Sequence, residues 1–313
     1  MNESISLAGK KALVTGAGGF LGSHLCAALV KAGVEVHAAA RRELPEPIEG
    51  VRLHRVDLVD LDAVRRVFLE VRPGFVFHMA GYVYGARGLE HIHPSLAGNL
   101  STTVNLLTLV AELGCERIVL AGSLEEPDED GIFAAGCVPS SPYAAAKYAG
   151  SCYARMFHAL YQVPVVIGRI FMAYGPAQRD LKKLIPYTIL SLAEGRAPKL
   201  GSGSRPLDWV YVDDATKAFL LLAQTPGLDG QTIEIGTGEL HTAREAVEII
   251  VGLMGNGATP EYGSVSDRKL EVARAANVAA TEKALSWRAE VSLREGLART
   301  IEWYRRHPTG TDK

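Results

Sequence analysis

The chain has 313 residues, with 33 Lys+Arg against 35 Asp+Glu and a formal net charge of -2. With 48% apolar and 22% charged residues it is neither a disordered chain nor a collagen-like repeat. Its near-neutral balance excludes the basic footprint of a nucleic-acid binder, so an anionic ligand must be held by a few placed Arg, Lys and backbone N–H groups. The length corresponds to about two domains, and a chain of this size buries roughly 75% of its unfolded surface without disulfide or metal staples. Cys26, Cys115, Cys137 and Cys152 form no CxxC pair and no metal-ligand spacing. They are expected to be reduced thiols in a cytoplasmic protein that holds no metal. Neither a signal peptide nor a membrane segment is expected: the first residues lack a basic stretch followed by an apolar one, and no run approaches the ~18 apolar residues of a span.

The first half alternates short apolar runs with stretches of helical spacing. Residues 11–15 (KALVT) form the first predicted strand and end in glycines. A helix is predicted over 21–31, where Leu21, Leu25, Ala28 and Leu29 share a stripe, and Gly33 closes it. Strands are predicted over 34–39, 51–56, 74–79, 117–121 and 163–170, with helices over 61–71, 96–113 and 143–161. Strands separated by helices of this length imply βαβ units and a parallel sheet. Near-continuous apolar strands imply a sheet covered on both faces. After Ile170 the rhythm breaks at Pro176, Pro186, Pro198 and the Gly201–Ser204 stretch, and the chain is expected to rejoin the first sheet near 232–235. The expected fold is α/β, a Rossmann-like doubly wound parallel sheet with a smaller α/β substrate-binding domain. The first domain spans 1–170 with a return near 206–236, and the second spans 171–205 and 237–313.

The junction of the first strand and helix reads Thr15-Gly16-Ala17-Gly18-Gly19-Phe20-Leu21-Gly22. Gly16, Gly19 and Gly22 make GxxGxxG. Glycine permits the tight turn, the approach of backbone to a pyrophosphate and the packing of helix on strand. The helix start, with Phe20 and Leu21, then offers free N–H groups and a positive dipole end to the phosphates. An NAD site usually places Asp or Glu ~20 residues after the motif begins, on the ribose 2′-hydroxyl. Here that neighbourhood reads Ala38-Ala39-Ala40-Arg41-Arg42, with Glu43 the nearest carboxylate. The planar fork of Arg matches a 2′-phosphate, which favours NADP(H) over NAD(H). The bland alternative is a solvated Arg pair, with Glu43 restoring an NAD site.

Tyr143 and Lys147 form YxxxK within Ser140-Ser141-Pro142-Tyr143-Ala144-Ala145-Ala146-Lys147. Residues i and i+4 share a helix face, so phenol and ammonium point into one space. Pro142 stands where a first turn tolerates it. A neighbouring cation is expected to pull Tyr143 below the ordinary ~10 of a phenol and fit it to exchange a proton with a substrate oxygen. Ser123 follows the fifth predicted strand, at the carboxyl edge where open α/β sheets bind ligands, and could orient the same oxygen.

These motifs resemble the extended short-chain dehydrogenase/reductase superfamily, in its nucleotide-sugar epimerase/dehydratase/reductase branch, over nearly the whole chain. The resemblance implies that Gly16, Gly19 and Gly22 cradle the cofactor and that Val56-Asp57-Leu58 meets its adenine. It places the strand end Phe77-His78-Met79-Ala80-Gly81 beside the cofactor and gives Asn99 a supporting role. Ser123, Tyr143 and Lys147 match the catalytic triad. Arg169-Ile170-Phe171-Met172-Ala173-Tyr174-Gly175-Pro176 resembles the segment entering the substrate domain, and Asp208-Trp209-Val210-Tyr211-Val212-Asp213-Asp214 a second signature. The tail, with Leu285-Ser286-Trp287, Leu293-Arg294-Glu295-Gly296-Leu297 and Trp303-Tyr304, resembles the sugar branch most specifically. Tyr82, Met172, Arg205 and Arg268 are candidate substrate contacts, the two arginines as diphosphate ligands.

The sequence departs from that pattern at informative places. Dehydratase members carry Thr-Asp-Glu where this chain has Ser123-Leu124-Glu125. Leu124 cannot act as the acid that expels a hydroxyl, whereas Glu125 could serve as a base or could belong to a solvated acidic run. Met172 replaces an Asn, and Leu207 an Arg, of many members. The implied activity is NADP(H)-dependent reduction of a keto group on a nucleotide-activated 4-keto-6-deoxy sugar. The alternatives are a nucleotide-sugar 4-epimerase with bound NAD(P) and, further off, a dehydratase. A non-catalytic sensor or scaffold would commonly have lost Tyr143 or Lys147, and both are present. His91 and His93 show no metal spacing and read as loop residues. The resemblance also implies a homodimer built on the helices over 96–113 and 143–161.

Overall fold

The computed structural model describes residues 5–44, 46–127, 138–255, 259–266 and 273–307. The chain divides into two units, one of residues 1–170, 216–233 and 283–285, the other of 171–215, 234–282 and 286–313.

The first unit is built on a seven-stranded sheet with the order β3-β2-β1-β4-β5-β6-β9. Its strands are β1 (Lys11–Thr15), β2 (Glu35–Ala40), β3 (Val51–Arg55), β4 (Phe75–His78), β5 (Arg117–Ser123), β6 (Val165–Ile170) and the edge strand β9 (Thr232–Ile235). Pairs β1–β2, β2–β3, β1–β4, β4–β5 and β5–β6 are all parallel. The strand order reverses between β1 and β4, which is the switch point where a doubly wound sheet leaves a crevice at its strand ends. The connecting helices are α1 (Phe20–Lys31), α2 (Leu61–Val71), α3 (Thr102–Leu113) and α4 (Pro142–Tyr161). They cover the sheet because their apolar stripes match its apolar strands. Val64, Val67 and Phe68 of α2 and Leu106, Leu107 and Val110 of α3 pack in one core with Val76, Ile118 and Ile167. Asp60 caps α2 by accepting the Ala63 N–H at 2.9 Å, and Ser141 caps α4 by accepting the Ala144 N–H at 3.1 Å.

The predicted helix over 96–113 is not uniform. Leu96–Ser101 forms a π-turn, and α3 begins only at Thr102. Buried Asn99 stands in this turn, and its side chain reads the backbone of Tyr82 in both directions. A helical periodicity cannot distinguish the one extra residue, and such turns recur at functional sites.

The second unit contains a three-stranded sheet, β10-β8-β7, from β7 (Met172–Tyr174), β8 (Pro206–Tyr211) and β10 (Leu240–Thr242). Strand β8 runs parallel to β7 and antiparallel to β10. Through this pairing residues 206–215 fall within the second unit. The remaining helices are the short turns Leu89–His91 and Ile92–Ser95 before the π-turn, then α5 (Leu184–Ala193), α6 (Val212–Gln224), most of which falls in the first unit, α7 (Ala243–Met254), α8 (Val278–Leu285) and α9 (Leu293–Arg306). Buried Asp208 accepts N–H groups from Thr237, Gly238 and Ala276, so one carboxylate holds three loop backbones. Among the described residues no helix is long and apolar enough to cross a membrane, and no group of three or more His, Cys, Asp or Glu could hold a metal ion. Cys26, Cys115 and Cys152 are free thiols, while Cys137 lies outside the described residues.

Candidate active site

The glycine turn has no room for side chains. Gly16 adopts φ 71, and a Cβ there would stand 2.6 Å from the Ala80 backbone nitrogen. A Cβ on Gly22 would collide with the Gly16 carbonyl oxygen. Gly19 is the N-cap of α1 and brings no side chain to its first turn. The leading N–H groups of that turn, with Phe20 and Leu21, therefore face outward for an anion. Gly16 and Gly22 thus let the turn pack directly on the β4 end and on α1, the close packing that a dinucleotide-binding turn needs.

Beside the turn, β1 and β4 are joined through buried side chains. Thr15 Oγ1 lies 2.7 Å from His78 Nδ1 and accepts the Ala80 N–H at 3.2 Å. His78 Nε2 lies 3.2 Å from Thr103 Oγ1, whose hydroxyl donates to the Asn99 carbonyl at 2.6 Å. Thr103 has thus spent its proton, which assigns the imidazole proton to Nε2 and makes Nδ1 the acceptor from Thr15. Burial, with the Lys147 charge second, pushes His78 down to about 3, so the ring is neutral. This network fixes the Ala80 end of β4 against the glycine turn.

At the far end of β2, Arg41 and Arg42 are exposed, and among the described residues neither guanidinium has a hydrogen-bond or ion-pair partner. Glu43 instead faces Arg55 at 3.6 Å. Asp57 is exposed and accepts the Val59 N–H at 3.1 Å, while the Leu58 carbonyl accepts from Asn105 at 2.8 Å. The loop proposed to meet adenine is therefore tied to α3.

Ser123, Tyr143 and Lys147 come together at the carboxyl end of β5. Ser123 and Tyr143 are both buried there, and Ser123 pulls the phenol down. Lys147 is buried and donates from Nζ to the Ala121 carbonyl at 2.8 Å. The expected lowering of the phenol is not found. Burial pushes Tyr143 above the ordinary range, Ser123 pulls it back, and Glu125 and Glu126 push it up again. The cation does not offset this because its ammonium is turned onto Ala121 and is itself pulled down by burial. Glu125 accepts the Ser141 hydroxyl at 3.2 Å, which ties it to the cap of α4. Its neighbour Glu126, which reads in sequence as one of an acidic run, is buried and accepts from Ser123 N–H and Ser151.

Tyr82 donates its N–H to Asn99 Oδ1 at 3.0 Å, and its phenol lies 2.9 Å from His91 Nδ1. His91 therefore partners Tyr82, a pairing that no local spacing announces. Of the other candidate substrate residues, Met172 opens β7 and Arg205 stands one residue before β8, both in the second unit. Arg268 lies outside the described residues.

A tightly packed glycine turn at a switch point, with a buried Ser–Tyr–Lys group at the next strand end, defines a dinucleotide-dependent enzyme of oxidoreductase type. The family model for the NAD dependent epimerase/dehydratase family matches residues 12–236, and the chain belongs to that family. It is 31% identical over 315 residues to the UDP-glucose 4-epimerase of Mycolicibacterium smegmatis, across 94% of this chain and 98% of that one. Among solved structures, the UDP-glucose 4-epimerase of Thermotoga maritima with UDP-glucose superposes with a TM-score of 0.85 at 25% identity, covering 95% of this chain and 99% of that one. The UDP-glucose 4-epimerase of Thermus thermophilus in complex with NAD gives a TM-score of 0.82 at 28% identity, covering 94% of this chain and 99% of that one.

Proposed function

We propose that this chain is an NADP(H)-dependent reductase of a keto group on a nucleotide-activated sugar, with a 4-keto-6-deoxyhexose as its substrate class. The observation that carries the reading is the end of β2. There the carboxylate that would bind a ribose 2′-hydroxyl is missing, and Glu43 is drawn to Arg55. Two guanidiniums without a partner among the described residues follow Ala40. That arrangement offers positive charge and forked donors to a 2′-phosphate.

When bound, a reduced nicotinamide would supply the hydride for the carbonyl carbon. Tyr143 then protonates the developing alkoxide from Oη. Its upward-pushed phenol is the protonated form at neutral pH, as a proton donor must be. Ser123 holds the same oxygen by hydrogen bonding. Lys147 places positive charge beneath the pair and holds the cofactor ribose. Leu124 offers no acid to expel a hydroxyl, which argues against dehydration. Tyr82, Met172, Arg205 and Arg268 are assigned to the substrate, and Asp57, Leu58, Ala80 and Asn99 to the cofactor. Exposed Leu96, Leu113, Tyr153, Leu160 and Tyr161 support a homodimer through this helical face.

A second reading, a nucleotide-sugar 4-epimerase that retains its cofactor, is favoured by the epimerase relative at 31% identity. The two separate on cofactor balance. Reduction consumes one NADPH per sugar, whereas epimerisation interconverts two sugars with none consumed. The nucleotide that copurifies with the protein, NADP(H) or NAD(H), tests the cofactor half of the reading.

A further inference from the structure

Tyr82 is held at several points in the stretch that leaves β4. Asn99 fixes its backbone, accepting the N–H at 3.0 Å and donating to the carbonyl at 3.2 Å. A Cβ on Gly98, in the π-turn, would stand 3.0 Å from the Tyr82 Cβ, so Tyr82 packs directly on that turn. Its phenol oxygen lies 2.9 Å from His91 Nδ1. Tyr84 lies against His91, with ring centroids 4.5 Å apart, and braces the imidazole. The preceding residue, Gly81, runs past the active-site lysine, since a Cβ there would stand 3.6 Å from Lys147 Nζ. A preorganised phenol is thus carried one residue from the Ser123–Tyr143–Lys147 group.

The direction of the Tyr82–His91 bond decides what the phenol can recognise. His91 Nε2 lies 3.4 Å from the Glu90 carboxylate. A neutral imidazole carries one ring proton, and the carboxylate favours it on Nε2. Nδ1 is then bare, and the Tyr82 hydroxyl donates to it. The phenol oxygen keeps its lone pairs and offers a ligand only an acceptor. A phosphate oxygen or a keto oxygen has no proton to give it, whereas a sugar hydroxyl has. We propose that His91 is a positioning residue that holds the Tyr82 phenol as the hydrogen-bond acceptor for a hydroxyl of the substrate's sugar ring. The inference rests on the assignment of Tyr82 to a nucleotide-sugar substrate and deepens it to one functional group of that substrate.

The test compares UDP-glucose and dTDP-glucose with UDP and dTDP, by calorimetry on the protein saturated with the nicotinamide nucleotide it binds, NADPH or NADH. His91→Phe keeps an aromatic ring against Tyr84 and removes Nδ1. It should weaken the tighter-binding sugar nucleotide by about 2–10-fold, the value of one hydrogen bond, and leave the bare diphosphate unchanged. Tyr82→Phe should cost a similar factor, and adding His91→Phe to it should cost nothing further. His91→Asn, whose amide oxygen can take the place of Nδ1, should restore binding. No loss in His91→Phe, an equal loss for sugar nucleotide and diphosphate, or additive losses in the double variant would overturn the proposal. So would a parent that binds neither sugar nucleotide more tightly than its diphosphate. If the parent consumes no NADPH with a keto sugar, the reductase reading fails, while the binding difference still decides the role of His91.

Discussion

Ser123 Oγ accepts the Glu125 N–H at 3.2 Å, and Ser123 also pulls the neighbouring Tyr143 phenol down against the push of burial. Burial outweighs that pull, so the phenol keeps its proton for a substrate. Tyr143→Phe keeps the ring and removes that proton. We expect kcat to fall by ~10²–10⁴-fold while NADPH affinity is unchanged. Steady-state kinetics with a parallel NADPH titration checks both halves.

Arg41 and Arg42 bear on the cofactor alone. Single alanine substitutions should weaken NADPH binding by about 10–100-fold, the value of a charge-assisted hydrogen bond, and leave NADH binding unaltered. Fluorescence titration with each nucleotide gives the ratio. An equal loss for both nucleotides would point to a general surface effect and remove the 2′-phosphate argument.

His78 ties pH to stability. Its folded value of about 3 lies below the ~6.5 of an unfolded histidine, so between these values the unfolded chain binds the extra proton. Stability should therefore rise with pH across this window and be lost as pH falls from ~6.5, by up to ~1.4 kcal/mol per pH unit from this group. Denaturant unfolding between about pH 5 and 7 should show a flatter dependence in His78→Gln than in the parent.

The glycine turn is steric before it is functional. Gly22→Ala places a methyl against the Gly16 carbonyl, and Gly16→Ala adds a positive φ to a clash with Ala80. Each should destabilise by at least ~1–3 kcal/mol, the range for overpacking, and lower the melting temperature as well as NADPH binding. Thermal unfolding measured with and without NADPH separates the two effects.

The parallel sheet was legible because its strands are apolar runs and its helices carry a 3.6-residue stripe. Thus 11–15, 117–121 and 61–71 could be placed from local pattern, and the glycine spacing and YxxxK announced the site. The second sheet was not legible, since Met172–Tyr174 and Leu240–Thr242 are three residues each and are defined only by distant pairing with β8. Asn99 was visible as a residue but not as the centre of a π-turn, because one added residue barely disturbs an apolar stripe. Glu126 was hidden in Glu125-Glu126-Pro127-Asp128-Glu129-Asp130, where charge density reads as solvation. Burial also decided the phenol: YxxxK spacing predicts a nearby cation but says nothing of desolvation, which outweighs it at Tyr143.

Reduction by NADPH is tested most directly by incubating the purified enzyme with NADPH and a nucleotide-activated 4-keto-6-deoxyhexose, following nicotinamide absorbance and sugar together. The account predicts one NADPH oxidised per hydroxyl formed, with the reaction lost in Tyr143→Phe. Interconversion of two nucleotide sugars with no net change in the nicotinamide would contradict it and make the protein an epimerase.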